Sequence, residues 1–143
     1  MNSITRRILI EIPGEPVAKG RPRFGRLANG APTTYTPAKT EKYENLIKIA
    51  AQNAMKGAIP LDQPLRVVVT AYMAMPQGFS RKKRYQGEYG DLKPTKRPDA
   101  DNFLKAALDG MNGIIYRDDA LVTDATIGKR YSEHPRMVIE VFA

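Results

Sequence analysis

The sequence predicts an α+β (mixed α/β) fold: one small domain spanning residues 1–143, with elements in the order β-α-β-α-β-β and helices packed on a small mixed sheet. Separate observations point there. Several short runs are β-branched or alternate apolar with polar residues, the period of a strand, whereas two longer runs repeat at helical spacing. The chain is long enough for one core, and no linker, internal repeat or low-complexity stretch divides it. Strands alternating with helices and closing on two further strands place the helices mainly on one face of the sheet.

The first strand is "RRILIEIPG", with Ile8, Ile10 and Ile12 alternating before the Pro13-Gly14 turn. Residues 15–35, rich in Gly, Pro and Arg, have too little apolar periodicity for a regular element and read as a long basic loop. "TPAKTEKYENLIKIAAQNAMKG" opens the first helix, with Thr36 as N-cap, Pro37 at the first helical position and Gly57 as the stop. Tyr43, Leu46, Ile47, Ala50 and Ala54 should face the sheet. "PLRVVVTAYMAMP", β-branched at its centre and bounded by Pro64 and Pro76, reads as a buried strand, with Met73 and Met75 filling core.

Residues 77–98 form a second basic loop, in which Phe79, Tyr85 and Tyr89 lie among Arg81, Lys82, Lys83, Arg84, Lys93, Lys96 and Arg97. Aromatics among cations suit bases and phosphates together. The second helix runs from about Asp101 to Met111 and ends at Asn112-Gly113. "ALVTDATIGKRY" and "RMVIEVFA" are then two strands joined by "SEHP" as a hairpin.

Composition excludes several classes of function. The absence of Cys rules out disulfides, thiolate metal sites and a cysteine nucleophile, and His134, the only histidine, leaves little room for a triad or a His-rich metal site. Chemistry here must use oxygen ligands, amines or hydroxyls. No apolar run reaches the ~18 residues of a membrane span, and the apolar stretch after Arg6-Arg7 is too short for a signal peptide. The expectation is a cytoplasmic protein with no membrane partner. A net charge of +8 and a pI near 9.8 point to a polyanionic partner, because clustered Lys and Arg release the counterions condensed on nucleic acid.

The charge is unevenly placed. Residues 1–98 carry 18 Lys+Arg against 7 acids, net +11, whereas residues 99–143 carry 5 against 8, net −3. Six of the eight aspartates fall between Asp99 and Asp124, an interval with no Glu. Taken singly, these are bland features: an aspartate N-cap, an i,i+4 ladder of Asp101, Lys105 and Asp109, and an Asp118-Asp119 turn. The concentration of one short acid is not accounted for in that way. Arg97 before Pro98 should be extended and deliver Asp99 from a strand-like segment, with Asp99 and Asp101 on one face. Short, rigid carboxylates suit Mg2+, which takes one or two of them plus water and substrate phosphate.

"KRPDADNFLKAALDGMNGIIYRDDALV" resembles the signature of the RusA family of Holliday junction resolvases, D-x-D-N-L-x-K-x-x-x-D-x-L followed by D-D-x-x-V. "KGRPRF" and "TYTP" upstream are similar to members from phages and prophages. Phe103 departs from the usual Leu, a change within the apolar stripe. The resemblance implies a homodimeric, Mg2+-dependent endodeoxyribonuclease, with Mn2+ as a substitute, that resolves four-way DNA junctions by paired symmetric nicks in recombination and repair. It implies Asp99, Asp101 and Asp119 as metal-binding carboxylates, possible support from Asp118 and Asp109, and Lys105 as the required lysine. Lys19, Arg21, Arg23, Arg81, Lys82, Lys83, Arg84, Lys96 and Arg97 would hold the DNA arms, which positions the substrate without reading its sequence. The competing expectations are a non-catalytic DNA-binding or architectural module and a metal nuclease acting on flaps or RNA.

Overall fold

The computed structural model describes residues 6–143. Its main sheet holds β1 (Arg7–Pro13), β4 (Leu65–Met73), β5 (Val122–Tyr131) and β6 (Arg136–Phe142) in the spatial order β1-β6-β4-β5. β6 runs antiparallel to both β1 and β4, and β5 runs parallel to β4, so the sheet is mixed as the sequence predicts. The helices are α1 (Ala38–Met55), α2 (Arg81–Glu88) and α3 (Ala100–Met111), and a single 3-10 turn, Asp119–Leu121, precedes β5.

The expected β5–β6 hairpin does not form, because β4 lies between the two strands. Apolar content explains the order. β6 buries Met137, Ile139 and Val141, and β4 buries Leu65, Val67, Val69 and Ala71, so these strands take the interior positions. β5, with no fully buried residue, is left at the edge. Ile8, Ile10 and Ile12 of β1 complete the inner face.

α1 and α3 cover that face. α1 buries Thr40, Tyr43, Ile47, Ala51 and Met55, a stripe rotated from the expected one, and Leu46 is left about half exposed. Thr36 does not cap α1. Pro37 holds the cap position without a side-chain hydrogen bond, and the helix ends where Lys56 and Gly57 turn left-handed, with φ of 50° and 80°. α3 turns Phe103, Ala107 and Met111 inward. A Cβ at Gly110 would stand 2.6 Å from Ile47 Cγ2, so α1 and α3 meet at a contact only glycine permits.

The two basic loops contain regular structure. Residues 15–35 include β2 (Arg23–Arg26) and β3 (Pro32–Tyr35), an antiparallel ribbon that is a sheet of its own. Its sequence lacks an apolar face, which is why periodicity did not find it. Residues 77–98 include α2, whose Ser80 cap accepts a hydrogen bond from the Lys83 N–H at 3.2 Å. Gly87 lets α2 settle on Met75 and Tyr131, and Phe79 meets Tyr131 edge-on at 5.4 Å. Met75 is the buried member of its pair, whereas Met73 is only partly buried.

Candidate functional site

The aspartates divide between the two ends of α3. Asp99 occupies the N-cap position with extended φ and ψ, and the helix starts at Ala100 instead of continuing an extended segment, so Asp101 lies in the first turn. The residues just before Asp99 form a bend, not a strand, and the Arg97–Pro98 peptide is cis. Asp99 does not use its side chain as a cap, and no ion pair among the described residues engages Asp99 or Asp101. Both are exposed. The capping role that would make Asp99 a local structural residue is unfilled.

Lys129, which sequence reading passed over, holds this end in place. Its Nζ donates to the carbonyls of Lys96 at 2.8 Å and Pro98 at 2.9 Å. It shares the β5 face of Ala125 and Ile127, in register with Ala71. A lysine at an inward position of a strand is the signal that could have marked it.

At the far end of α3, Tyr116 is fully buried and its hydroxyl donates to the Leu108 carbonyl at 2.6 Å. The adjoining backbone is tied down by Arg117 N–H to Leu61 O at 3.0 Å and Leu61 N–H to Ile115 O at 2.9 Å. This fixed turn presents Asp118 and Asp119 to solvent. Partial desolvation, then the Asp118 charge and carboxyl contact, and then Asp109 lift the Asp119 carboxyl above the ordinary aspartate value. Burial, with the charges of Asp119, Asp109 and Asp118, likewise pushes the Tyr116 phenol well above its usual value. Asp118 and Asp109 thus add their charge around Asp119. Asp124 accepts a hydrogen bond from Thr123 Oγ1 at 3.0 Å at the start of β5.

Eight residues of helix, ~12 Å of rise, separate Asp101 from Asp109. Among the described residues no three His, Asp or Glu side chains converge as a preformed metal cage. The donor chemistry nevertheless fits Mg2+, which needs only one or two carboxylates and completes its shell with water and phosphate. Asp118 and Asp119 are in carboxyl contact with no basic partner in any ion pair among the described residues, a repulsion that a divalent ion would relieve.

The ladder of Asp101, Lys105 and Asp109 does not form. Lys105 is exposed and in no ion pair among the described residues, while Asp109 is engaged by Lys19 at 3.3 Å. Lys19 Nζ also binds Glu44, and its backbone N–H donates to Asn102 O at 2.9 Å. Lys19 thus ties the first basic loop to α1 and α3 through Glu44 and Asp109, and it also lines the cleft beside that loop. Gly20 follows it closely over α1, its N–H donating to Thr40 Oγ1 at 3.0 Å.

That tie shapes a cleft of about 840 Å3, lined by Arg21, Arg23, Lys39, Arg97, Asp99 and Asn102 among others. Arg21, Arg23, Lys96 and Arg97 are exposed. Lys39 belongs to the same wall and was hidden by reading α1 as packing alone. Arg81, Lys82 and Lys83 are exposed on the first turn of α2, where the helix dipole disfavours cations. Arg84 differs from them: it is half-buried and occupied by Glu133 and the Pro76 carbonyl, both at 3.4 Å.

The profile of the family described as endodeoxyribonuclease RusA matches residues 13–142. The chain is also 37% identical over 136 residues, 94% of each chain, to a Bacillus subtilis (strain 168) protein named "Uncharacterized protein YqaN". No helix among the described residues is long and apolar enough to cross a membrane. With Asp99 opening onto a basic cleft, and a family match over nearly its whole length, the chain belongs to the RusA endodeoxyribonuclease family.

Proposed function

We propose that the protein is a Mg2+-dependent, structure-specific endonuclease that resolves four-way DNA junctions by paired nicks, acting as a homodimer in recombination and repair. The observation that carries this reading is the meeting of Arg21, Arg23, Lys39 and Arg97 with Asp99 in one cleft. A phosphate backbone drawn along the cations arrives at Asp99, which no ion pair among the described residues engages. Asp99, Asp101 and Asp119, with Asp118 beside it, would hold the divalent ion or ions. A bound ion supplies Lewis-acid polarisation of the phosphate and a more acidic water. Lys105 is free to stabilise charge developing on the scissile phosphate, and the cleft arginines hold the flanking phosphates in register. A two-fold symmetric junction calls for two matching sites, which a symmetric dimer provides.

Asp119→Asn is the test. Asn keeps the size and turn-forming capacity of Asp but lacks the charge a divalent ion requires. Junction affinity in chelator should be equal or higher, because a charge repelling the backbone is gone, while nicking in Mg2+ should fall by orders of magnitude. Normal nicking by a well-folded variant would remove Asp119 from the ligand set. A parallel panel of junction, flap, duplex, single-stranded and RNA substrates checks structure selectivity, and the solution mass at micromolar concentration checks the dimer. Binding by the wild type without nicking of any substrate in Mg2+ or Mn2+ would leave a non-catalytic module.

A further inference from the structure

The β2–β3 ribbon is poorly explained by folding. It pairs only with itself, and a lone two-stranded ribbon is marginal in water. It is nevertheless carefully closed: Leu27 N–H donates to Ala31 O and Gly30 N–H to Leu27 O, both at 2.9 Å, and Arg26 Nη1 donates to Gly30 O at 3.0 Å. On this braced support Phe24 is 87% exposed, the most exposed large apolar side chain among the described residues. Phe24 and Arg26 share one face of the ribbon, while Tyr35 lies across Gly25 on the other, beside Arg23.

We infer that this ribbon is a stacking platform for an unpaired base of the DNA substrate, with the Phe24 ring as the stacking surface. The inference rests on the nuclease reading and adds a base contact to it. Charge selects the occupant. Residues 16–40 contain no acid, so the ribbon and its flanks present cations alone. A polyanion meets them favourably. Bases of an intact duplex are already stacked on one another, so a protruding ring finds a partner only where stacking is interrupted, as at a branch point or in a single strand. Arg23 is both the first residue of β2 and part of the cleft wall leading to Asp99, which places the platform beside the strand entering the site.

The test uses the full chain in chelator with three labelled DNA probes: a four-way junction, a single strand and a linear duplex. Phe24→Ala, at an exposed position, should keep the thermal midpoint but weaken junction and single-strand binding about 5- to 150-fold, leaving duplex binding unchanged. The protein has no Trp, so Phe24→Trp introduces its sole indole. That fluorescence should be quenched by the junction and the single strand and not by the duplex, with affinity at least that of wild type. Unchanged junction affinity for Phe24→Ala, equal weakening on all three probes, or an absence of quenching would overturn the inference. So would a shift of Phe24→Ala from dimer to monomer, which would make the ribbon a protein contact. The nuclease reading fails by a different result, the absence of wild-type nicking of branched DNA in Mg2+.

Discussion

Replacing Lys19 with Met keeps most of the side-chain volume and removes the ammonium that joins Glu44 to Asp109. The three side chains are 17%, 14% and 31% exposed, between the surface and buried regimes. Exposed pairs contribute ~0–1 kcal/mol, and removing one member of a fully buried pair costs ~3–5 kcal/mol. Lys19→Met should therefore cost about 2 kcal/mol by interpolation between those limits. With an unfolding entropy of ~2.1 cal/mol/K per residue, a chain of 143 residues should lose roughly 7 °C in Tm.

The pH dependence separates this tie from other causes of instability. Desolvation pulls the Lys19 ammonium down, but its bonds and charge contacts with Glu44 and Asp109 outweigh that and raise it above 10.5. A raised folded-state pKa gives stability that is complete below about pH 10.5 and lost as pH rises through the folded value, so the wild-type contribution is constant from pH 5 to 9. The Lys19→Met deficit should therefore hold steady across that window and shrink only as pH rises past about 10.5. Denaturant titrations across that range, with junction binding at several salt concentrations, provide the assay. The salt slope should be unchanged, since Lys19 is already paired with Glu44 and Asp109. A deficit under about 0.5 kcal/mol together with a slope shallower by ~0.9 would refute the reasoning and return Lys19 to the DNA surface.

On the proposed role of Lys105 beside the reacting phosphate, Lys105→Ala should reduce nicking far more than junction binding, because it barely alters a field set by 23 cations; equal losses in paired nicking and gel-shift assays would reject that role. Gly110→Ala should destabilise by ~1–3 kcal/mol despite alanine's better helix propensity, because the new methyl meets Ile47 at 2.6 Å; a stabilised variant in thermal unfolding would contradict the close helix approach. Changing Arg81, Lys82 and Lys83 together to Gln should raise Tm slightly, by removing cations from a helix N-terminus, and flatten the salt dependence of junction binding by ~0.9 for each phosphate that the loop no longer neutralises. An unchanged slope would make that turn a solvated surface.

The strands β1, β4, β5 and β6, the helices α1 and α3 and the aspartate-rich interval were legible in the sequence because each rests on a local pattern: β-branched or alternating runs, helical spacing, or crowding of one residue type. The order β1-β6-β4-β5 was not, since strands that follow one another in the chain were separated in space by competition for the buried centre of the sheet. The candidate site divides in the same way. The crowding of one short acid marked Asp99, Asp101, Asp118 and Asp119, the resemblance to the RusA family singled out Lys105, and the basic loops marked their exposed arginines. Only the tertiary structure decided that Lys19 belongs to Glu44 and Asp109, that Arg84 belongs to Glu133, and that Lys105 is left unpaired among the described residues. Lys39 and Lys129 likewise entered the site through contacts between distant segments. A charged side chain carries its reach and pKa in its own chemistry, but its partner depends on which segments the core brings within a few ångströms, and that is a property of packing.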